Sequence, residues 1–148
     1  MKYLGIDYGT KKVGFAESDG EGKLAFPMMI SENNKDLMRD TLEIIKGCGI
    51  DGIVMGLSLD KDGKENPVAA KAKVFSEQLK EKLVEKNLSS IKIIFEKEWY
   101  TTVEARRQPE AKENVDDAAA ALILQRYLDK VKPREYAEDN DEDEGDNE

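Results

Sequence analysis

Apolar positions form short runs in the first third of the chain and helical stripes in much of the rest. Residues 2–8 read as a buried strand, Gly9-Thr10-Lys11-Lys12 as a turn, and Val13 to Glu17 as the next strand. Asp19-Gly20-Glu21-Gly22 forms the following turn. Lys23 to Ile30 give a third strand, in which Pro27 marks an edge or a bulge because proline cannot donate to a sheet ladder. The spacing then changes. Leu37, Met38, Leu42 and Ile45 share one face, which predicts a helix from Asn34 to Lys46 closed by Gly47. Ile50 to Met55 is a short apolar strand bounded by Gly56, and Leu57 to Lys64 read as a loop. Asn66 caps a second helix with Pro67 at its first position, and Val68, Ala72, Phe75, Leu79 and Leu83 form its apolar stripe. Lys71, Lys73, Lys80 and Lys82 mix with glutamates on the opposite face, the pattern of a solvated helix surface. Ile91 to Glu98 form a fifth strand. Thr101 or Thr102 caps a short helix through Arg107, Gln108 to Glu113 is a loop, and Asn114 caps a last helix running to about Lys130.

Three consecutive strands favour a meander, and strands separated by helices add in parallel through right-handed crossovers. The predicted fold is therefore α/β: a mixed five-stranded sheet, a three-strand meander plus two parallel strands, flanked by helices. The first strand is central, which accounts for its lack of surface polarity. One domain covers residues 1–132, and residues 133–148 form an acidic, disordered tail without apolar periodicity.

Composition refines this picture. With 148 residues, 39% of them apolar, the chain is long enough for one domain with a core. No apolar run approaches membrane-spanning length, and the N-terminus enters a strand without the pattern of a signal peptide. The single cysteine, Cys48, lies between two glycines and has no internal partner. A cytoplasmic, reducing setting is expected, with Cys48 as a small filler. The net charge of −9 is concentrated at the end: residues 138–148 carry eight acids and no base. Without them 23 basic residues face 24 acidic ones, so the body is near neutral and compatible with a local basic face.

Three separated acids are the candidate chemistry. Asp7 lies in the first strand, Glu98 ends the fifth, and Asp116 opens the last helix. A carboxylate in a buried strand costs several kcal/mol unless it is paired, protonated or bound to a cation. The chain has no histidine, and a purely acidic set suits Mg2+ or Mn2+ rather than zinc. Each acid also has a structural reading. Asp7 can cap its own turn through Gly9 or Thr10, and by this segment alone the two readings weigh about equally. Glu96 and Glu98 share one side of their strand, so periodicity does not choose between them. Asp116 and Asp117 suit a first helical turn for the macrodipole alone.

Taken in order, these segments resemble the YqgF family, also called the RuvX or Holliday-junction-resolvase-like family. Its opening motif is matched by Asp7-Tyr8-Gly9-Thr10-Lys11-Lys12-Val13-Gly14, and its apolar strand by Ile53-Val54-Met55-Gly56-Leu57-Ser58 followed by Asp62-Gly63. The acid-containing segment is Lys97-Glu98-Trp99-Tyr100-Thr101-Thr102, and the alanine-rich helix is Val115-Asp116-Asp117-Ala118-Ala119-Ala120-Ala121-Leu122-Ile123-Leu124-Gln125. The likeness covers nearly everything up to residue 130. It implies an RNase H-like fold and a metal-dependent nuclease acting on structured nucleic acid, with maturation of the 5′ end of 16S ribosomal RNA as the usual role. It also implies that Asp7, Glu98 and Asp116 are the catalytic and metal-binding acids, in preference to Glu96 and Asp117. The chain departs from the pattern where Ser58 stands for a proline and where Lys97 and Trp99 flank Glu98. The stretch from Thr102 to Asp116 is short, and its basic residues are Arg106, Arg107 and Lys112.

These readings imply phosphodiester hydrolysis assisted by two ions, with Asp7 shared between them. Lys11, Lys12, Arg106 and Arg107 are the expected phosphate contacts, so binding should weaken with salt. Structured pre-rRNA is the expected partner and branched DNA the alternative, with the protein a monomer or a homodimer. A junction-resolving DNA endonuclease would use the same acids and require a dimer. A catalytically impaired nucleic-acid-binding homologue is a further reading, and a sugar-kinase-like ATPase fits poorly because such proteins clamp a nucleotide between two domains. The acidic tail is expected either to aid solubility or to compete for the basic face.

Overall fold

The computed structural model describes residues 1–60, 62–99 and 118–131. Strands β1 (Tyr3–Tyr8), β2 (Lys12–Ser18) and β3 (Ala25–Glu32) come first. Helix α1 (Leu37–Cys48), strand β4 (Gly52–Leu59), helix α2 (Pro67–Glu85) and strand β5 (Lys92–Trp99) follow, and helix α3 covers 118–131. The sheet order is β3-β2-β1-β4-β5. The first three strands form the antiparallel meander, and β4 and β5 add in parallel beside β1. The expected mixed sheet with β1 at its centre is thus what forms.

Strand alternation divides the core in two. Leu4 and Ile6 of β1, with Ile53 and Met55 of β4, point to the side covered by α1 and α2, where they meet Ile45, Phe75, Leu79 and Leu83. Ala16 and Val54 point to the other side and pack against Ala120, Ile123, Leu124 and Leu128 of α3. Gly5 permits this second layer. A β-carbon there would lie 2.8 Å from Leu124 Cβ and 3.0 Å from the Ala120 carbonyl oxygen, so any larger residue would push α3 off the sheet.

Several boundaries differ from those the sequence predicts. Helix α1 starts at Leu37, because Asn34 and Asp36 form a turn: the Asn34 side chain accepts from the Asp36 N–H, and the Asn34 carbonyl accepts from the Leu37 N–H. It continues through Gly47 and ends at Gly49, whose left-handed φ of 65° suits the C-terminal turn. Strand β3 is shifted two residues toward the C-terminus, and its irregular pairing near Pro27 and its exposed Phe26 and Met29 mark it as an edge. Strand β4 runs on through Gly56 to Leu59, because Leu57 and Leu59 are buried against Ala69. The turn that follows is built on Asp60, which accepts from the N–H groups of Asp62 and Lys64. Asn66 caps α2 as predicted, its side chain accepting from the Ala69 N–H at 2.8 Å, but Ala69 rather than Val68 opens the buried stripe.

Burial raises the pKa of the Cys48 thiol, and the nearby Glu17 adds to the effect. A protonated thiol suits a filler rather than a nucleophile. No helix among the described residues is long and apolar enough to cross a membrane. The short helix predicted through Arg107, the loop predicted after it, the predicted start of the last helix at Asn114 and the acidic tail lie outside the described residues.

Candidate active site at the carboxyl ends of the parallel strands

Strands β1, β4 and β5 run in parallel, so their carboxyl ends lie on one edge of the sheet. In open α/β sheets this edge is where ligands bind. Asp7 and Glu98 are each the penultimate residue of their strand. The structure therefore brings them to one edge, and side-chain direction brings them to one face. Asp7 points with Gly5 toward α3. Glu98 also faces α3, where its Oε1 accepts from Arg126 Nη1 at 3.1 Å.

These two acids are not on neighbouring strands. Strand β4 lies between them, and two strand spacings amount to roughly 10 Å between backbones. Gly56 on β4 makes the gap crossable. Ile6 pairs with Met55, so the next step of the register sets Asp7 beside Gly56. On the other side, Glu98 extends over the same glycine: its Oε2 lies 3.0 Å from the position a Gly56 β-carbon would take. The same position is 2.6 Å from Ile123 Cδ1. Gly56 is thus the bare floor over which the Glu98 carboxylate reaches toward Asp7, and Ile123 closes it from above.

Glu96 points to the same face but toward a different partner. Its Oε2 accepts from Lys130 Nζ at 2.7 Å, and its side chain is only 5% exposed against 18% for Glu98. Lys130 lies one helical turn beyond Arg126, and α3 runs antiparallel to β1, with Ala120 over Gly5 and Tyr127 against Tyr3. Lys130, and Glu96 with it, therefore sits farther from the strand-end edge. Asp7 is 5% exposed. Among the described residues no group of three or more acidic or sulfur side chains is placed to hold a metal ion. Asp116, the third predicted acid, lies outside them, as do Arg106 and Arg107. The described part of α3 begins two residues after Asp116, and its N-terminal end is directed to the strand end that carries Asp7.

Lys11 and Lys12 are exposed at the β1–β2 turn, on the same edge as Asp7. This turn is braced from β3. The Asn33 N–H donates to the Lys11 carbonyl, and the Asn33 side-chain amide donates to the Gly9 carbonyl, both at 2.8 Å.

Gly56, Ile123 and Arg126 surround the Glu98 carboxylate in this candidate site, and sequence reading did not single them out. Gly56 reads as a strand terminator, although a glycine inside an apolar strand also signals close approach. Arg126 follows Ile123 by three residues and Lys130 follows Arg126 by four, which puts two cations on the sheet-facing stripe of α3.

The family model for RuvX, described as Holliday junction resolvase, matches residues 1–130. Proteins named "Putative pre-16S rRNA nuclease" are similar over most of the chain. The one from Thermoanaerobacter pseudethanolicus is 37% identical over 144 residues, covering 89% of this chain and 99% of its own. The one from Sulfurihydrogenibium sp. (strain YO3AOP1) is 34% identical over 136 residues, covering 88% and 91%. Among solved structures, Thermus thermophilus RuvC superposes with a TM-score of 0.54 at 12% identity, over 90% of this chain and 97% of that one. The fowlpox virus Holliday junction resolvase superposes at 0.52 with 16% identity, over 88% and 99%. At such identities the likeness is one of fold, and it is RNase H-like.

Proposed function

The chain belongs to the RuvX family, described as Holliday junction resolvase, and from that membership we propose a metal-dependent endonuclease that hydrolyses phosphodiester bonds in precursor 16S ribosomal RNA. The relatives' shared name supports the substrate. The observation that carries the site is the reach of Glu98 over Gly56 toward Asp7 on the α3 face. We assign Asp7, Glu98 and Asp116 as the catalytic acids.

The donors are carboxylate oxygens in a chain without histidine, a set that fits Mg2+ or Mn2+. Such ions polarise the phosphoryl oxygens and lower the pKa of an attacking water. Asp7, in the central strand, and Glu98, from β5, would hold the ion between them. Glu98 also accepts from Arg126, whose guanidinium is 56% exposed and stands at the rim, facing the substrate's negative charge. Lys11 and Lys12 contact flanking phosphates, with Arg106 and Arg107 contributing from the segment before α3.

The test is cleavage of a pre-16S leader RNA and of a four-way DNA junction, side by side, in magnesium, manganese and EDTA. The proposal expects cut RNA with either metal, none in EDTA, and an intact junction. The family description favours a second reading, junction resolution, which requires a dimer to cut two strands symmetrically. Symmetric junction cleavage by a sedimenting dimer, with intact RNA, would replace the first reading by the second.

A further inference from the structure

On the opposite face of β1, at the same sheet edge, a cavity of about 370 Å³ opens between α1 and α2. This size falls in the range of roughly 300–1,000 Å³ typical of small-ligand sites. Its lining combines three chemistries. Tyr8 contributes an aromatic ring backed by Phe75, with centroids 5.4 Å apart and planes at 36°. Asn33 and Gln78 contribute amides, and Lys35 and Lys71 contribute ammonium groups with no ion pair among the described residues. Lys71 is exposed, as its sequence pattern predicts, and the fold also sets it at the cavity mouth.

We propose that this cavity receives one unpaired nucleotide of the substrate strand, next to the nucleotide being cut. Tyr8 stacks the base, since aromatic side chains bind any base through its π face. The amides meet the base edge, and the two lysines hold its phosphate. The placement follows from the backbone. Tyr8 is joined to Asp7, and their side chains leave β1 on opposite faces, so a strand crossing the sheet edge can present a phosphate to Asp7 and the next base to Tyr8. Asn33 couples the two sides, because it lines the cavity and also braces Gly9 and Lys11. The position relative to the scissile phosphate rests on the nuclease reading; the binding itself does not.

The experiment measures binding of a short single-stranded RNA containing 2-aminopurine to the full chain in EDTA, where no metal-dependent cutting occurs. The Lys35→Glu/Lys71→Glu pair should bind about five-fold or more weakly, and Tyr8→Leu should lose comparable affinity together with the quenching of 2-aminopurine. Lys82→Glu/Lys86→Glu, the same charge change at the far end of α2, should bind as the wild type does. A thermal melt confirms that Tyr8→Leu is folded, and the lysine pair serves as the second arm because it alters exposed side chains only. Equal weakening by both lysine pairs, or unchanged quenching in a folded Tyr8→Leu, would overturn the proposal. So would displacement of the strand by free AMP at equal nucleotide concentration, which would assign the cavity to a free mononucleotide. Cavity-dependent binding without any cleavage in magnesium supports the cavity and overturns the nuclease. Cleavage with binding unaffected by these variants does the reverse.

Discussion

Asp7→Asn is expected to slow cleavage about a thousand-fold in magnesium, because the Lewis-acid contribution of a well-held ion is several kcal/mol and each 1.4 kcal/mol is a factor of ten. Asparagine keeps the shape and one oxygen but removes the charge that attracts the ion. The folded state should not suffer. Asp7 is 5% exposed at the end of the central strand, and asparagine fills the same space without burying a charge. The metal-free melting temperature of the variant should therefore stay close to that of the wild type. Calorimetry in EDTA, set beside single-turnover cleavage, separates the two effects. A variant that cuts at the wild-type rate would remove Asp7 from the chemistry, and a variant that fails to fold would make Asp7 a structural residue.

Gly56→Ala is expected to damage the site and the core through different atoms. The new methyl would lie 2.6 Å from Ile123 Cδ1 and 3.0 Å from Glu98 Oε2. Ile123 is 1% exposed and cannot simply swing away, so the overpacking should cost about 1–3 kcal/mol of stability. The Glu98 carboxylate is the more movable neighbour. It should be driven off the floor, lowering cleavage by about ten-fold or more even in fully folded protein, since small misplacements of positioned groups are costly. Adding Ile123→Val removes the Cδ1 atom and should restore much of the stability, but it leaves the contact with Glu98 in place. Recovery of the melting temperature without recovery of cleavage is the expected outcome. Full activity in Gly56→Ala would mean that the reach of Glu98 over this glycine is not needed.

The fold was legible in the sequence because strand and helix periodicities differ and because the order of elements restricts the topology. Three adjacent apolar runs favour a meander, and runs separated by helices favour parallel addition. What was lost was lost to tertiary context. Gly56 breaks an apolar run and so looked like an end. Leu57 and Leu59 carry the strand onward because they are buried against Ala69, which comes well after the strand in the chain. Gly47 looked like a helix stop, but the chain needs its left-handed residue only at Gly49. For the site, the acids at Asp7 and Glu98 could be picked out, but their relation could not. It depends on parallel register across two strand pairs, which carries no local signal. The choice between Glu96 and Glu98 shows the same limit. Both face α3, and it is the contacts that part them: Glu98 meets Arg126 and the Gly56 floor, while Glu96 meets Lys130 one turn farther from the strand-end edge.

The central claim is that Asp7 and Glu98 share one cation-binding point across Gly56. Titration calorimetry of the full chain with Mn2+ tests it most directly, without any nucleic acid. The wild type should bind, Asp7→Asn and Glu98→Gln should each bind at least about ten-fold more weakly, and Glu96→Gln should retain wild-type affinity. A wild type that takes up no manganese, or one whose affinity is indifferent to Asp7 and Glu98, would contradict it.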